Sequence, residues 1–105
     1  MSWTVRFEPK ARKDIDKLKE PTKSHVFKAL EKVATNPLPQ HEGGYGNPLR
    51  NLNGSELKGY LKIKLRKDGV RIVYRLARIE ETMVIIVIGV RDGDYVYEEA
   101  ARRIR

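Results

Sequence analysis

The chain has 105 residues, with 22 Lys and Arg against 14 Asp and Glu, a net charge of +8, a pI near 9.9 and no cysteine. That length suits one domain, residues 1–105, and 40% hydrophobic with 34% charged residues describes a globular chain rather than a disordered tail. The missing cysteine removes disulfides, thiolate metal sites and cysteine nucleophiles together, while the basic excess favours a polyanionic partner.

Trp3, Val5 and Phe7 alternate with Thr4, Arg6 and Glu8, the period of a half-buried strand. Pro9 starts a new element. Ala11, Ile15 and Leu18, then Val26, Leu30 and Val33, fall at helical spacing on either side of Pro21 and predict a helical hairpin. Residues 36–55 are rich in Pro, Gly and Asn, which predicts a long, mobile loop anchored by Leu38, Leu49 and Leu52, with Tyr45 exposed.

Leu61 to Arg66 and Val70 to Leu76 are predicted strands joined at Asp68-Gly69, a hairpin signal. A two-residue loop would set Arg66 opposite Arg71 and Leu65 opposite Ile72. One face would then be apolar, with Leu61, Ile63, Leu65, Ile72, Tyr74 and Leu76. The other would gather Lys62, Lys64, Arg66, Arg71 and Arg75 around Val73. Met83 to Val90 is apolar throughout, as a central strand should be, and leads into Arg91. Its apolar run is far too short to span a membrane, and no secretory signal opens the chain, so a cytoplasmic protein with no membrane partner is expected. Asp92 or Asp94 could cap a last helix from Val96 to Ile104, which ends in Arg102, Arg103 and Arg105. The expected fold is α+β, in the order β-α-α-β-β-β-α: an N-terminal strand and helical hairpin packed on a mainly antiparallel sheet.

Charge is concentrated in the strands, since residues 58–91 hold 9 basic and 3 acidic side chains. Pleating would place Lys62 and Lys64 about 6.7 Å apart on one face, close to the repeat of phosphates along a nucleic-acid strand. Surface strands also carry cations for solubility, so the pattern alone indicates nothing narrower than a polyanion site. His25 and His41 lie 16 positions apart and form no metal-binding cluster.

The segments Gly59 to Arg66, Gly69 to Tyr74, the apolar strand into Arg91, and Val96-Tyr97-Glu98-Glu99-Ala100 resemble the RelE/ParE superfamily of bacterial and archaeal toxins, with RelE the nearer branch. The similarity spans nearly the whole chain. It implies a ribosome-dependent endoribonuclease that enters the small-subunit decoding site and cuts mRNA with the RNA's own 2′-hydroxyl, without cofactor or metal. Carried over by position, the family's catalytic residues fall on Lys62, Lys64, Arg71, Arg91 and Tyr97. Lys58, Arg66, Lys67 and Arg75 would extend the surface toward RNA and ribosome. The resemblance also implies a cognate antitoxin, operator DNA bound only through that antitoxin, and repression of the operon by the complex.

In this assignment Lys64 is the base for the 2′-hydroxyl, and Lys62 and Arg71 hold the phosphate. Arg91 stabilises the leaving oxygen, since a guanidinium scarcely deprotonates. Tyr97 either stacks on a base or helps move a proton. An aromatic three before Ala100 also suits a helix's core face. The loop before the first hairpin strand is longer than the family suggests, and Asp92-Gly93-Asp94 is more acidic. The alternatives are a ParE-like inhibitor of DNA gyrase and a non-catalytic RNA-binding module.

Overall fold

The computed structural model describes residues 2–49, 57–90 and 95–104. The elements are β1 (Thr4–Phe7), α1 (Pro9–Asp16), α2 (Thr22–Ala34), a 3-10 turn (Gln40–Glu42), β2 (Asn47–Pro48), β3 (Leu61–Leu65), β4 (Val70–Ala77), β5 (Thr82–Gly89) and α3 (Tyr95–Ile104). The strands form one mixed sheet in the order β1-β5-β4-β3-β2, with β1 parallel to β5 and the other pairs antiparallel. This is the expected α+β architecture, with a parallel pair at one edge.

Pro9 sits at the start of α1, where its missing N–H costs nothing. Ala11 and Ile15 of α1 and Val26, Leu30 and Val33 of α2 cover one sheet face, built from Leu61, Ile63, Val70, Ile72, Tyr74, Met83, Ile85 and Ile88. On the opposite face, Val96, Tyr97, Ala100 and Ala101 of α3 pack on Val73, Val84, Ile86 and Val87. Val73 pairs with Val87 but Tyr74 with Ile85, so Ile86 is an extra residue in β5. This bulge turns two consecutive side chains, Ile86 and Val87, toward α3. Gly89 pairs with Arg71, and a Cβ there would stand 2.6 Å from Cγ2 of Val96, so glycine permits α3 to lie close to the strand end.

The β3–β4 connection corrects the two-residue turn. Leu65 pairs with Val70, leaving a four-residue loop from Arg66 to Gly69, and Lys64 rather than Arg66 stands opposite Arg71. The Asp68 N–H donates to the Leu65 carbonyl at 3.2 Å, and Gly69 takes φ +67° while Asp68 stays at negative φ. A type I′ turn needs positive φ at both central residues, so one left-handed residue closes the longer loop instead. The register differs from expectation by two positions, an even number, so every side chain keeps its face.

Residues 36–49 also depart from a structureless loop. Besides the 3-10 turn and β2, the Tyr45 N–H donates to the Asn36 carbonyl at 2.9 Å and the Gly46 N–H to the Leu38 carbonyl at 2.9 Å. The hydroxyl of fully buried Tyr74 donates to the Pro37 carbonyl at 2.8 Å, and burial pushes its pKa well above the usual range. Leu49 is buried and Tyr45 exposed, as expected; Leu52 lies outside the described residues.

Candidate functional site

β3 and β4 present Lys62, Lys64, Arg71, Val73 and Arg75 on the sheet face that α3 partly covers, and the register puts Lys64 beside Arg71 and Lys62 beside Val73. From α3, Tyr97 projects onto this face and is only 3% exposed. Lys62 Nζ stands 5.7 Å from its ring centroid and Arg71 Cζ 5.9 Å. Attraction to the ring quadrupole, about 0.5–2 kcal/mol per cation, offsets part of the repulsion between two like charges held close together.

Lys62 and Arg71 are half-buried beside the aromatic ring, whereas Lys64 is exposed. Lys64, Leu65, Arg66, Gly69, Val70 and Arg71 line a shallow cleft at the hairpin end. Among the described residues Lys64, Arg66 and Lys67 enter no ion pair, so their charge faces solvent and any incoming anion. The carboxylate nearest in sequence, Asp68, is engaged by His25 of α2, whose Nδ1 lies 3.0 Å from both carboxylate oxygens. That contact ties the hairpin loop to α2 across 43 residues.

Four of the five residues assigned to catalysis are therefore described: Lys62, Arg71 and Tyr97 in contact, and Lys64 beside Arg71. Arg91, with Asp92 and Asp94, lies outside the described residues. Of the outer cations, Arg66 and Lys67 share the hairpin loop, and Lys58 is exposed beside Leu57. Arg75 is separated from Arg71 by buried Val73 and lines a different pocket with Tyr60, Ile86, Arg103 and Ile104. Among the described residues no group of three or more His, Cys, Asp or Glu side chains could hold a metal ion, and no helix is long and apolar enough to cross a membrane.

Sequence reasoning gave no role to Asp14, His25 or Glu99, and to Arg103 only that of a cation at the end of the last helix. Arg103 Nη1 donates to Asp14 at 2.7 Å, its Nε donates to Glu99 at 2.8 Å, and both partners are largely screened from solvent. Hydrogen bonds from Arg102 and Arg103 hold the Glu99 carboxyl below the usual carboxylate range. Partners 89 positions apart leave no periodic trace in a sequence.

The candidate site is thus a basic strand pair beneath a helix-borne tyrosine, on a mixed sheet backed by a helical hairpin. Residues 5–97 match the ParE toxin of the type II toxin-antitoxin system parDE, and the chain belongs to this ParE/RelE toxin family. Among its relatives are toxins of RelE type. The mRNA interferase toxin RelE of Escherichia coli K12 is 30% identical over 104 residues, 99% of each chain, and an E. coli RelE-like toxin protein is 30% identical over 105 residues, all of both chains. An E. coli RelE mutant in the free state superposes with a TM-score of 0.76 at 28% identity over 100% of both chains. The RelBE2 toxin-antitoxin complex of Mycobacterium tuberculosis gives 0.68 at 29% identity, covering 87% of this chain and 93% of that one.

Proposed function

We propose that this toxin is an mRNA interferase that acts in the cytoplasm, enters the ribosomal decoding site and cuts translated message by attack of a 2′-hydroxyl on the adjacent phosphorus. The observation that carries the reading is the convergence of Lys62 and Arg71 on Tyr97 with Lys64 directly across from Arg71. Lys64, exposed at the mouth of the cleft, takes the 2′-hydroxyl proton. Lys62 and Arg71 hold the phosphate and the charge that develops as phosphorus becomes five-coordinate. The P–O5′ bond breaks, leaving a 2′,3′-cyclic phosphate. Arg91 stabilises the departing 5′-oxygen, which takes its proton from water.

Tyr97 is buried against both cations, so its role here is to fix their positions; stacking on a base would require it to leave that contact. Lys58, Arg66 and Lys67 extend the basic surface toward ribosomal RNA, and Arg75 contributes from its separate pocket. Complexes of E. coli RelE with RelB and of RelBE2 support a cognate antitoxin as partner; in this reading it covers the basic surface, and operator DNA is reached through it.

Lys64→Ala is expected to lower kcat for message cleavage by about 10²-fold, the contribution of a positioned base, with ribosome affinity nearly unchanged. Single-turnover cleavage on ribosome complexes measures the first and co-sedimentation the second. A loss confined to affinity would make Lys64 a docking residue. The ParE match favours a second reading, inhibition of DNA gyrase. A supercoiling assay with the same purified protein tests it.

A further inference from the structure

The best-buried ion pair among the described residues lies outside the cationic cluster yet holds the elements that build it. β1 stops at Phe7, and its last rung is the Glu8 N–H donating to the Ile85 carbonyl at 3.0 Å. Past that rung β5 has lost its neighbour on one side while the bulge disturbs the other. Two side chains take over the backbone groups there. The Ile88 N–H donates to Asp14 Oδ2 at 3.0 Å, and the Ile86 carbonyl accepts from Arg103 Nη1 at 2.8 Å. Asp14 and Arg103 also pair in bidentate fashion, at 2.7 and 3.1 Å, with side chains 15% and 13% exposed.

This pair therefore joins α1, the end of β5 and α3 at one point. β5 runs from there to Gly89, opposite Arg71, and α3 carries Tyr97 onto Lys62 and Arg71. Apolar packing of α3 would tolerate small sliding, because hydrophobic contact is non-directional. A planar guanidinium held by a carboxylate, a carbonyl and Glu99 does not, since each hydrogen bond fixes distance and direction. We infer that Asp14 and Arg103 are positioning residues for the cationic site, fixing Tyr97 and the end of β5 so that Lys62 and Arg71 are held in register for the phosphate.

The inference rests on the mRNA-cleavage reading for its kinetic arm and stands without it for its structural arm. The experiment compares wild type, Asp14→Asn, Arg103→Met and Arg103→Lys, with exposed Asp16→Asn as a control on the same helix. Message cleavage is measured on ribosome complexes, and the NMR shifts of the Lys62 ε-methylene report its place near the Tyr97 ring. Displacement of catalytic groups by about 1 Å can cost 10²-fold, so Asp14→Asn and Arg103→Met are expected to lose roughly 10- to 100-fold in kcat at unchanged KM. The Lys62 resonance should move toward its random-coil position, Arg103→Lys should recover part of both, and Asp16→Asn should match wild type. If Asp14→Asn or Arg103→Met does not fold, Arg103→Lys is judged by the same two readouts, with a partial loss in both expected. Folded variants with wild-type kcat and an unmoved Lys62 resonance would overturn the inference. Should the wild type not cut message, the cleavage reading fails, and the Lys62 resonance alone decides whether the pair positions the site.

Discussion

Replacing Arg71 by alanine should reduce mRNA cleavage by about 10³-fold, the upper range for loss of one preorganised charge donor at a developing anion. The effect is large because this side chain serves two contacts: its guanidinium offers a fork of donors to phosphate, and it lies 5.9 Å from the Tyr97 ring centroid, which Lys62 also approaches. Its removal takes one of two strand cations off that ring, leaving Lys62 there, and opens space beside Lys64, its cross-strand neighbour. Folding should be unharmed, since Arg71 is half-buried and its loss removes a like-charge pair with Lys64. The same variant separates the readings: gyrase inhibition would survive it, and a plain RNA-binding module would show only weaker, salt-dependent binding. Cleavage at the wild-type rate would contradict the assignment of the site.

Gly44→Ala should lower stability by about 3 kcal/mol, at the top of the range for forcing an atom into packed structure. A Cβ at position 44 would stand 2.0 Å from the Leu38 carbonyl oxygen and 2.8 Å from the Leu38 nitrogen, both backbone atoms that cannot rotate aside. The segment between them is held by the Gly46 N–H on the Leu38 carbonyl and by Tyr74 on Pro37, so relief means opening those contacts. For a chain near 100 residues that loss corresponds to a fall in Tm of roughly 10–20 °C, read by circular dichroism. The consequence reaches the site, because the segment ends in β2, which pairs Asn47 with Lys62 and covers the edge of β3. A variant melting with wild type would show that the segment is not closed as described.

The strand faces were legible from the sequence because side-chain parity survives an error of two in register. Lys62, Lys64 and Arg71 could therefore be gathered correctly while the pairing of Arg66 with Arg71 was wrong. That error came from Asp68-Gly69, whose local signal does not distinguish one left-handed residue from two. The order of the sheet was not legible: the parallel pairing of β1 with β5 joins Thr4 to Thr82 with the rest of the sheet in between. Tyr97 satisfied both readings of its position, being buried with the core and in contact with the cations. The Asp14–Arg103 pair escaped because an ion pair set by tertiary packing leaves no spacing to detect. Arg75 looked equivalent to Arg71 by period, and only the burial of Val73 between them separates the two.

The most direct test of the account is cell-free translation with purified toxin, mapping mRNA 5′ ends by primer extension with and without ribosomes. The account predicts new 5′ ends on translated message only, lost in Arg91→Ala and in Arg71→Ala. Intact message with undiminished protein synthesis would contradict it and leave the gyrase reading to explain the family membership.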